Sequence, residues 1–388
     1  MGQPTSEPAF ATPRLVGRPN PIDRDRLFSR LSEMLDRRWY SNNGPLVQEF
    51  EQAVSSLVGV EHCIATCNAT VAMELAARAL HLSGEVIVPA FTFVATAHAL
   101  DWLGLRPVFA DIDPNTHNLD PTRIEKLITP RTSGIVGVHV WGRSCDTDAI
   151  GGIAAKHGLR TIYDAAHAFG CSRGSRPIGG CGDCEIFSFH ATKYVQSFEG
   201  GMISTNDGTL AERLRLMRNF GFAGVDRIVS AGTNAKMSEA NAAMGLTSLE
   251  AMPSILETNR RNHVAYREGL RGVLGVDLME YDVGALNNHQ YVVLAIDPVR
   301  YGATRDALAE HLGAHRVIAR RYFTPPLHRV PPYRDRPHDE TPSLPNAERV
   351  SDRVLVLPTG SQMDAADVAI VCRLIRDFAS RHVSETDS

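Results

Sequence analysis

The chain reads as an α/β protein, with a mainly parallel central sheet covered by helices on both faces and a smaller C-terminal α+β domain behind it. Three observations predict this. Short β-rich runs alternate with amphipathic helical segments between residues 85 and 205, the pattern of strand–helix–strand units. A long helical stretch, EANAAMGLTSLEAMPSILETNRRNHVAYREGL, then carries the chain out of that region. Beyond it come only two further β-rich runs and a last amphipathic helix. The corresponding division is an N-terminal arm at 1–20, a large domain at 21–250 and a smaller domain at 251–388.

Taken in order, residues 1–20 are rich in Pro, Ser, Thr and Gly, which suits a loose arm that docks late or on a partner. From Asp23 to Leu35 and from Val47 to Leu57, apolar residues recur at three- and four-residue spacing, so two helices are expected around the turn-rich WYSNNGP. The strands follow as EVIVPAF, RPVFADI, SGIVGVHV, LRTIYDAA, EIFSFH and GGMIST. Pro253 lies inside the long helical stretch and should divide it in two. QYVVLAI and HRVIARRYF read as strands of the smaller domain, AADVAIVCRLIRDFA as its last helix, and SRHVSETDS as a frayed tail.

Composition excludes several classes. The hydrophobic share of 43% and charged share of 22% are those of a globular protein, and a formal net charge of -4 leaves no broad basic surface for nucleic-acid phosphates. The N-terminal residues lack a charged segment followed by an apolar one, and no run is long enough to span a bilayer, so a cytoplasmic location is expected. Seven scattered cysteines do not form a disulfide framework. The C-x-x-C pair Cys181 and Cys184 has no second pair at zinc spacing and reads as small residues in a turn before a strand. A dinucleotide-binding oxidoreductase would need G-x-G-x-x-G after the first strand, which is absent.

The densest chemistry lies in IYDAAHAFG and EIFSFHATKYVQSFEGGMIST. Asp164 falls at the C-terminal end of one predicted strand, and Ser188 to Lys193 at the end of another, so both should reach the sheet edge where open α/β sheets bind ligands. An aldehyde cofactor needs an amine to hold it as an imine and a carboxylate to keep its ring nitrogen protonated. Lys193 and Asp164 meet those two demands. Asn68-Ala69-Thr70 precedes a helix with Met73, Ala76, Ala77 and Leu80 on one face, where main-chain N–H groups and the Thr70 hydroxyl can meet a phosphate.

These segments closely resemble the signature of the DegT/DnrJ/EryC1/StrS sugar aminotransferases. The likeness runs over nearly the whole chain and includes WYSNNGPLVQEFE, CNATVAMELAARAL, VIVPAFTFVATAHAL, PVFADIDPNTHNLDP, GTNAKMSEANAAMG and NNHQYVV. It implies a fold type I enzyme dependent on pyridoxal 5'-phosphate (PLP, cycling with its amine form PMP), working as a homodimer whose active sites are shared. By position it implies Lys193 as the Schiff-base lysine and Asp164 at the ring nitrogen. Ala69, Thr70 and Ser188 match the phosphate contacts, Ala69 standing where many members carry Gly. Phe93 matches the aromatic that stacks on the ring, His167 the residue near the phenolic oxygen, and Asn234 an asparagine given to the phosphate by the neighbouring subunit. One branch of the family has His in place of the lysine and dehydrates its sugar. Lys193 instead implies amine transfer.

RNFGFAG, GTNAKMSEA, NNHQYVV and RRYFTPPLH are most similar to the actinobacterial branch that aminates C4 of dTDP-4-keto-6-deoxyglucose for antibiotic amino sugars. The resemblance implies L-glutamate as donor and dTDP-4-amino-4,6-dideoxyglucose as product. Arg218, Asn219, Phe222, Tyr322 and His328 are the candidates for contacts to a diphosphate and a thymine. The alternatives are a C3-specific aminotransferase of the same fold and a PLP-binding regulator without turnover. Such regulators usually add a DNA-binding module, and no recognition-helix extension or basic stretch is present.

Overall fold

The structure, a computed structural model, describes residues 7–335 and 343–386. Its centre is a sheet of seven strands, numbered here in chain order: β1 (His62–Thr66), β2 (Glu85–Pro89), β3 (Arg106–Ala110), β4 (Thr132–Val138), β5 (Arg160–Asp164), β6 (Cys184–Ser188) and β7 (Gly201–Thr205). Their spatial order is β1-β7-β6-β5-β4-β2-β3. Pairs from β3 through to β6 are parallel, and β7 runs antiparallel to both β1 and β6. One sheet edge therefore collects the carboxyl ends of β1 to β6 and the amino end of β7. Asp164 and Ser188 both lie on it, as the sequence predicts.

Both faces of the sheet are covered. Val86, Val88, Val136, Ile162, Ile186 and Ile203 pack with Ala72, Met73, Leu75 and Ala76 of the helix Ala69–Ala79. The alternate residues Ile87, Ile135 and Tyr163 pack with Ile150 and Ala154 of the helix Thr147–His157. Successive side chains of a strand point to opposite faces, and a sheet covered twice makes its strands nearly continuous hydrophobic runs. EVIVP and GIVGV are such runs.

The long helical stretch divides at Ala251 into Glu239–Glu250 and Met252–Gly269, with Pro253 in the first turn of the second helix, where a missing N–H costs nothing. A three-stranded antiparallel sheet follows, of Val276–Leu278, Val292–Ile296 and Val354–Leu357. Its faces alternate too: Val293, Val354 and Val356 join the core of the large sheet, and Val292, Leu294, Leu355 and Leu357 pack under Leu308, Leu312, Val371 and Ile375. One face of the small sheet thus shares the apolar core of the large sheet, and the other face has a core of its own.

Two expectations need correction. HRVIARRYF yields only the two-residue strand Val317–Ile318, because Arg316 turns into a left-handed conformation (φ 63°) and Phe323 is drawn into an aromatic cluster elsewhere. The arm is not loose over its described part: Phe10 is buried, Arg14–Leu15 pairs in parallel with Val317–Ile318, and Arg14 is bonded to Asp367 at 3.1 Å. Strand β1 had no distinct signal in the sequence. None of the seven cysteines is disulfide-bonded, and Cys184 opens β6 after a turn holding Cys181. No helix among the described residues is long and apolar enough to cross a membrane.

Candidate active site

Lys193 lies five residues beyond the end of β6, in a tight loop where its own N–H bonds the His190 carbonyl at 2.9 Å. Burial lowers its pKa to about 8, against the pull of the nearby Asp164 carboxylate. Its amine therefore loses its proton at a lower pH than an ordinary lysine does. Asp164, at the end of β5, has one fixed donor on each oxygen: Thr96 Oγ1 at 2.7 Å from Oδ2 and the Ala166 N–H at 3.0 Å from Oδ1.

Beside this pair stands a cradle for an anion. Asn68 caps the helix Ala69–Ala79 by accepting the Val71 N–H at 2.9 Å, leaving the earlier N–H groups of Ala69 and Thr70 without intrahelical partners. Gly201 pairs with Thr66 on one side and Ser188 on the other, which brings the Ser188 hydroxyl to the same helix end. A Cβ at Gly201 would stand 2.5 Å from the Asn68 carbonyl carbon and 2.6 Å from the Ala69 nitrogen. Only glycine allows that approach. It is a site residue the sequence reading passed over, although the Gly200-Gly201 pair was its signal.

An aromatic wall completes the site. Phe93 keeps 55% of its surface exposed, an open ring face just beyond β2, and lies 6.4 Å from the Phe323 ring. Phe323 stacks on Trp141 (5.4 Å, 8°) and near-parallel to His167 (6.0 Å, 13°), and Tyr291 meets His167 at 4.7 Å. Burial, with Lys193 nearby, holds the His167 pKa well below its usual value, so the ring is neutral at pH 7. Its Nδ1 accepts the Trp141 N–H at 3.3 Å, which assigns the ring proton to Nε2 as the remaining donor.

The segment NNHQ fastens these pieces from the C-terminal side. Asn288 Nδ2 bonds the carbonyls of His167 (2.9 Å) and Phe169 (3.1 Å), and Gln290 Oε1 takes the Tyr194 N–H at 2.7 Å. Below the site, His139 and Glu185 form a fully buried pair at 3.2 Å, and the His139 N–H bonds the Asp164 carbonyl at 3.0 Å. Thr96, Trp141, Tyr291, Phe323, Asn288 and Gln290 were not singled out by the sequence. Each is a common residue type whose place at the site comes from tertiary proximity.

The residues proposed for substrate fall in two groups. Tyr322 stacks on Phe323 at 5.4 Å, and its segment is tied to the end of β2 by the Leu327 N–H to Ala90 carbonyl bond of 2.8 Å, so it borders the aromatic wall. His328 in the same segment is paired with Glu348 at 2.9 Å. Of the other group, Arg218 and Asn219 line a separate cavity of about 180 Å³ together with Asn42, Asn43, Arg215 and Lys236. Arg218 is buried and committed to Glu51, to the Ala65 carbonyl at 2.9 Å and to Asn43 at 2.9 Å, which makes it part of the frame rather than a mobile clamp. Asn219 accepts from Lys236 at 3.0 Å and bridges to Asn234. Asn234 and Phe222 are exposed on the chain's own surface, and no described bond joins either to Lys193.

A buried amine of lowered pKa, a pinned carboxylate, a helix-end anion cradle and an open aromatic face fit pyridoxal phosphate. Comparison with known proteins agrees. The chain is 36% identical over 366 residues to a dTDP-4-amino-4,6-dideoxy-D-glucose transaminase of Shigella dysenteriae, covering 94% of this chain and 99% of the relative. It is 37% identical over 368 residues to a GDP-perosamine synthase of Caulobacter vibrioides, covering 93% and 95%. A crystal structure of DesI in the presence of its TDP-sugar product superposes with a TM-score of 0.94 at 53% identity, covering 98% of this chain and 96% of that one. The sequence profile of the DegT/DnrJ/EryC1/StrS aminotransferase family matches residues 21–376. The chain belongs to that family, whose aminotransferases use pyridoxal phosphate.

Proposed function

We propose that this aminotransferase moves the amino group of L-glutamate to C4 of dTDP-4-keto-6-deoxyglucose, giving dTDP-4-amino-4,6-dideoxyglucose for the amino sugars of an antibiotic pathway in the cytoplasm. The observation that carries the chemistry is the buried Lys193 amine set beside Asp164 at the carboxyl edge of the sheet. The substrate rests on the relatives: the 53% identical DesI was crystallised with a TDP-sugar product, and the Shigella enzyme carries the C4 product in its name.

Pyridoxal phosphate, when bound, supplies an aldehyde that captures amines and a ring that draws electrons from the bond being broken. The protein's residues do the rest. Asp164 holds the ring nitrogen's proton, and Ala69, Thr70 and Ser188 hold the phosphate. Phe93 offers its open face to the ring, and His167 Nε2–H donates towards the phenolic oxygen. Lys193 Nζ would take the α-proton of glutamate, and in the second half-reaction would deliver a proton to C4 of the sugar. A depressed pKa suits that double duty, because the amine must be neutral to accept.

We further infer a homodimer with shared sites, Asn234 of each chain reaching its partner's phosphate. Its exposure on the chain's own surface supports this.

The test is direct. Purified protein with PLP, L-glutamate and dTDP-4-keto-6-deoxyglucose should form an aminated sugar nucleotide whose NMR spectrum places the amine at C4. An amine at C3, or no product, would reject the substrate.

A further inference from the structure

We propose that Thr96 is a positioning residue for the amino transfer, holding Asp164 as an oriented carboxylate with Thr92 behind it as the donor that completes the chain. This rests on the reading of Asp164 as the partner of the cofactor's ring nitrogen. Thr96 Oγ1 lies 2.7 Å from Asp164 Oδ2 and 3.2 Å from Thr92 Oγ1, and both threonines are buried.

The distance between the two hydroxyls leaves either one as donor. The carboxylate decides. An ionised carboxylate only accepts, so the single Thr96 proton is spent on Asp164, and the Thr96 oxygen must then accept from Thr92. The proton order runs from Thr92 to Thr96 to Asp164. Oδ1 is held separately by the Ala166 N–H at 3.0 Å, so the plane of the carboxylate is pinned from both ends.

Two buried threonines at the start of a helix have an ordinary explanation as caps. Here the helix Ala95–Trp102 has Val94 at its cap position and no side-chain capping bond. The Thr92 hydroxyl goes to another side chain instead of a main-chain N–H, which is not what a cap does.

The consequence reaches the reaction through Asp164. Hydrogen bonds to the charged form favour it, and a buried chain of donors polarises along its length. Thr96 thus keeps the carboxylate oriented to hold the ring nitrogen's proton. Lys193 and Tyr291 also interact with Asp164. Neither occupies the Thr96 bond.

The test uses PLP-loaded enzyme carrying T96V, T96S, T92V or D164N, with kcat, the KM for the keto sugar and the pH titration of the bound cofactor's visible absorbance. A less cationic ring lets the nitrogen shared with Lys193 hold its proton more tightly. T96V should therefore move the absorbance midpoint to higher pH and lower kcat by about ten- to a hundredfold, the size of a lost bond to a charged group, with the sugar KM little changed. T96S should restore both readouts. T92V should move both in the same direction by about two- to fivefold, as loss of one polarising donor would, and it decides the matter if T96V does not load. A T96V enzyme with the wild-type midpoint and kcat overturns the proposal, as does a loss that T96S does not restore. D164N separates the two readings: if it is inactive while T96V is normal, only the role of Thr96 falls, and if D164N is itself normal, the reading of Asp164 falls with it.

Discussion

The main-chain N–H of Tyr194 donates to Gln290 Oε1 at 2.7 Å, so the residue next to Lys193 is fastened to the C-terminal part of the chain. The Tyr194 carbonyl is held in turn by Asn20 Nδ2 at 3.2 Å and its hydroxyl by the Met252 carbonyl at 3.0 Å. Three distant segments thus fix one residue of the lysine loop. Replacing Gln290 by Ala leaves a part-buried N–H unpaired, a loss of about 1–3 kcal/mol. We predict that Q290A releases PLP about five- to a hundredfold faster than wild type, as followed by loss of bound absorbance under dilution. An unchanged release rate would mean that the loop does not depend on this tie.

Gly201 lies against the Asn68 carbonyl and the Ala69 nitrogen, all main-chain atoms that cannot swing aside. Gly201→Ala should push the end of the helix Ala69–Ala79 away from β7, costing about 1–3 kcal/mol by overpacking. The expected signature is weaker binding of PLP than of wild type in a fluorescence titration, together with a lower melting temperature of the apoenzyme. Wild-type affinity for PLP would contradict the close-approach argument.

Burial lowers the Lys193 pKa to about 8, and the neutral amine is the form that attacks an aldehyde. The second-order rate of PLP association with the apoenzyme should therefore rise with pH up to about 8 and level off above it. Stopped-flow absorbance between pH 6 and about 10.5 checks this. A rate still climbing at the upper end would indicate an unperturbed lysine.

If each site borrows Asn234 from the neighbouring chain, two disabled variants can repair one another. In a reassociated equal mixture of K193A and N234A chains, about half the dimers are mixed and one of their two sites has both residues intact, so activity should recover to about a quarter of wild type. Activity no greater than the sum of the separate variants would argue against sharing.

Much of this architecture is visible in the sequence because a sheet covered on both faces requires it. EVIVP, GIVGV and EIFS carry apolar residues towards both faces and stand out from the helices around them. His62-Cys63-Ile64-Ala65-Thr66 does not, since its Cys and Ala are small and its burial depends on β7 and on Phe50 and Val54 of the helix Pro45–Val58. The arm was hard to read for a similar reason. Its polar anchors, the Ala9 N–H and Arg14, find their partners more than 300 residues away, at His315, Val317 and Asp367.

The site divides in the same manner. Lys193 and Asp164 are legible because their chemistry is specific and both follow strands that end on one edge. Thr96, Trp141, Tyr291 and Phe323 are ordinary helix, turn and core residues until the fold brings them to Asp164 and His167. Arg218 shows the opposite case. A lone arginine in RNFGFAG looks like an anion ligand, yet its two terminal nitrogens are bonded to Glu51, Asn43 and the Ala65 carbonyl.

We propose Lys193 as the amine that holds the cofactor. Borohydride reduction of the PLP-loaded enzyme, followed by proteolysis and mass spectrometry, tests it most directly. The pyridoxyl group should be found on the peptide containing Lys193 and be absent from the K193A variant. A modified lysine elsewhere, or a K193A enzyme that still fixes the cofactor at equal yield, would contradict the account.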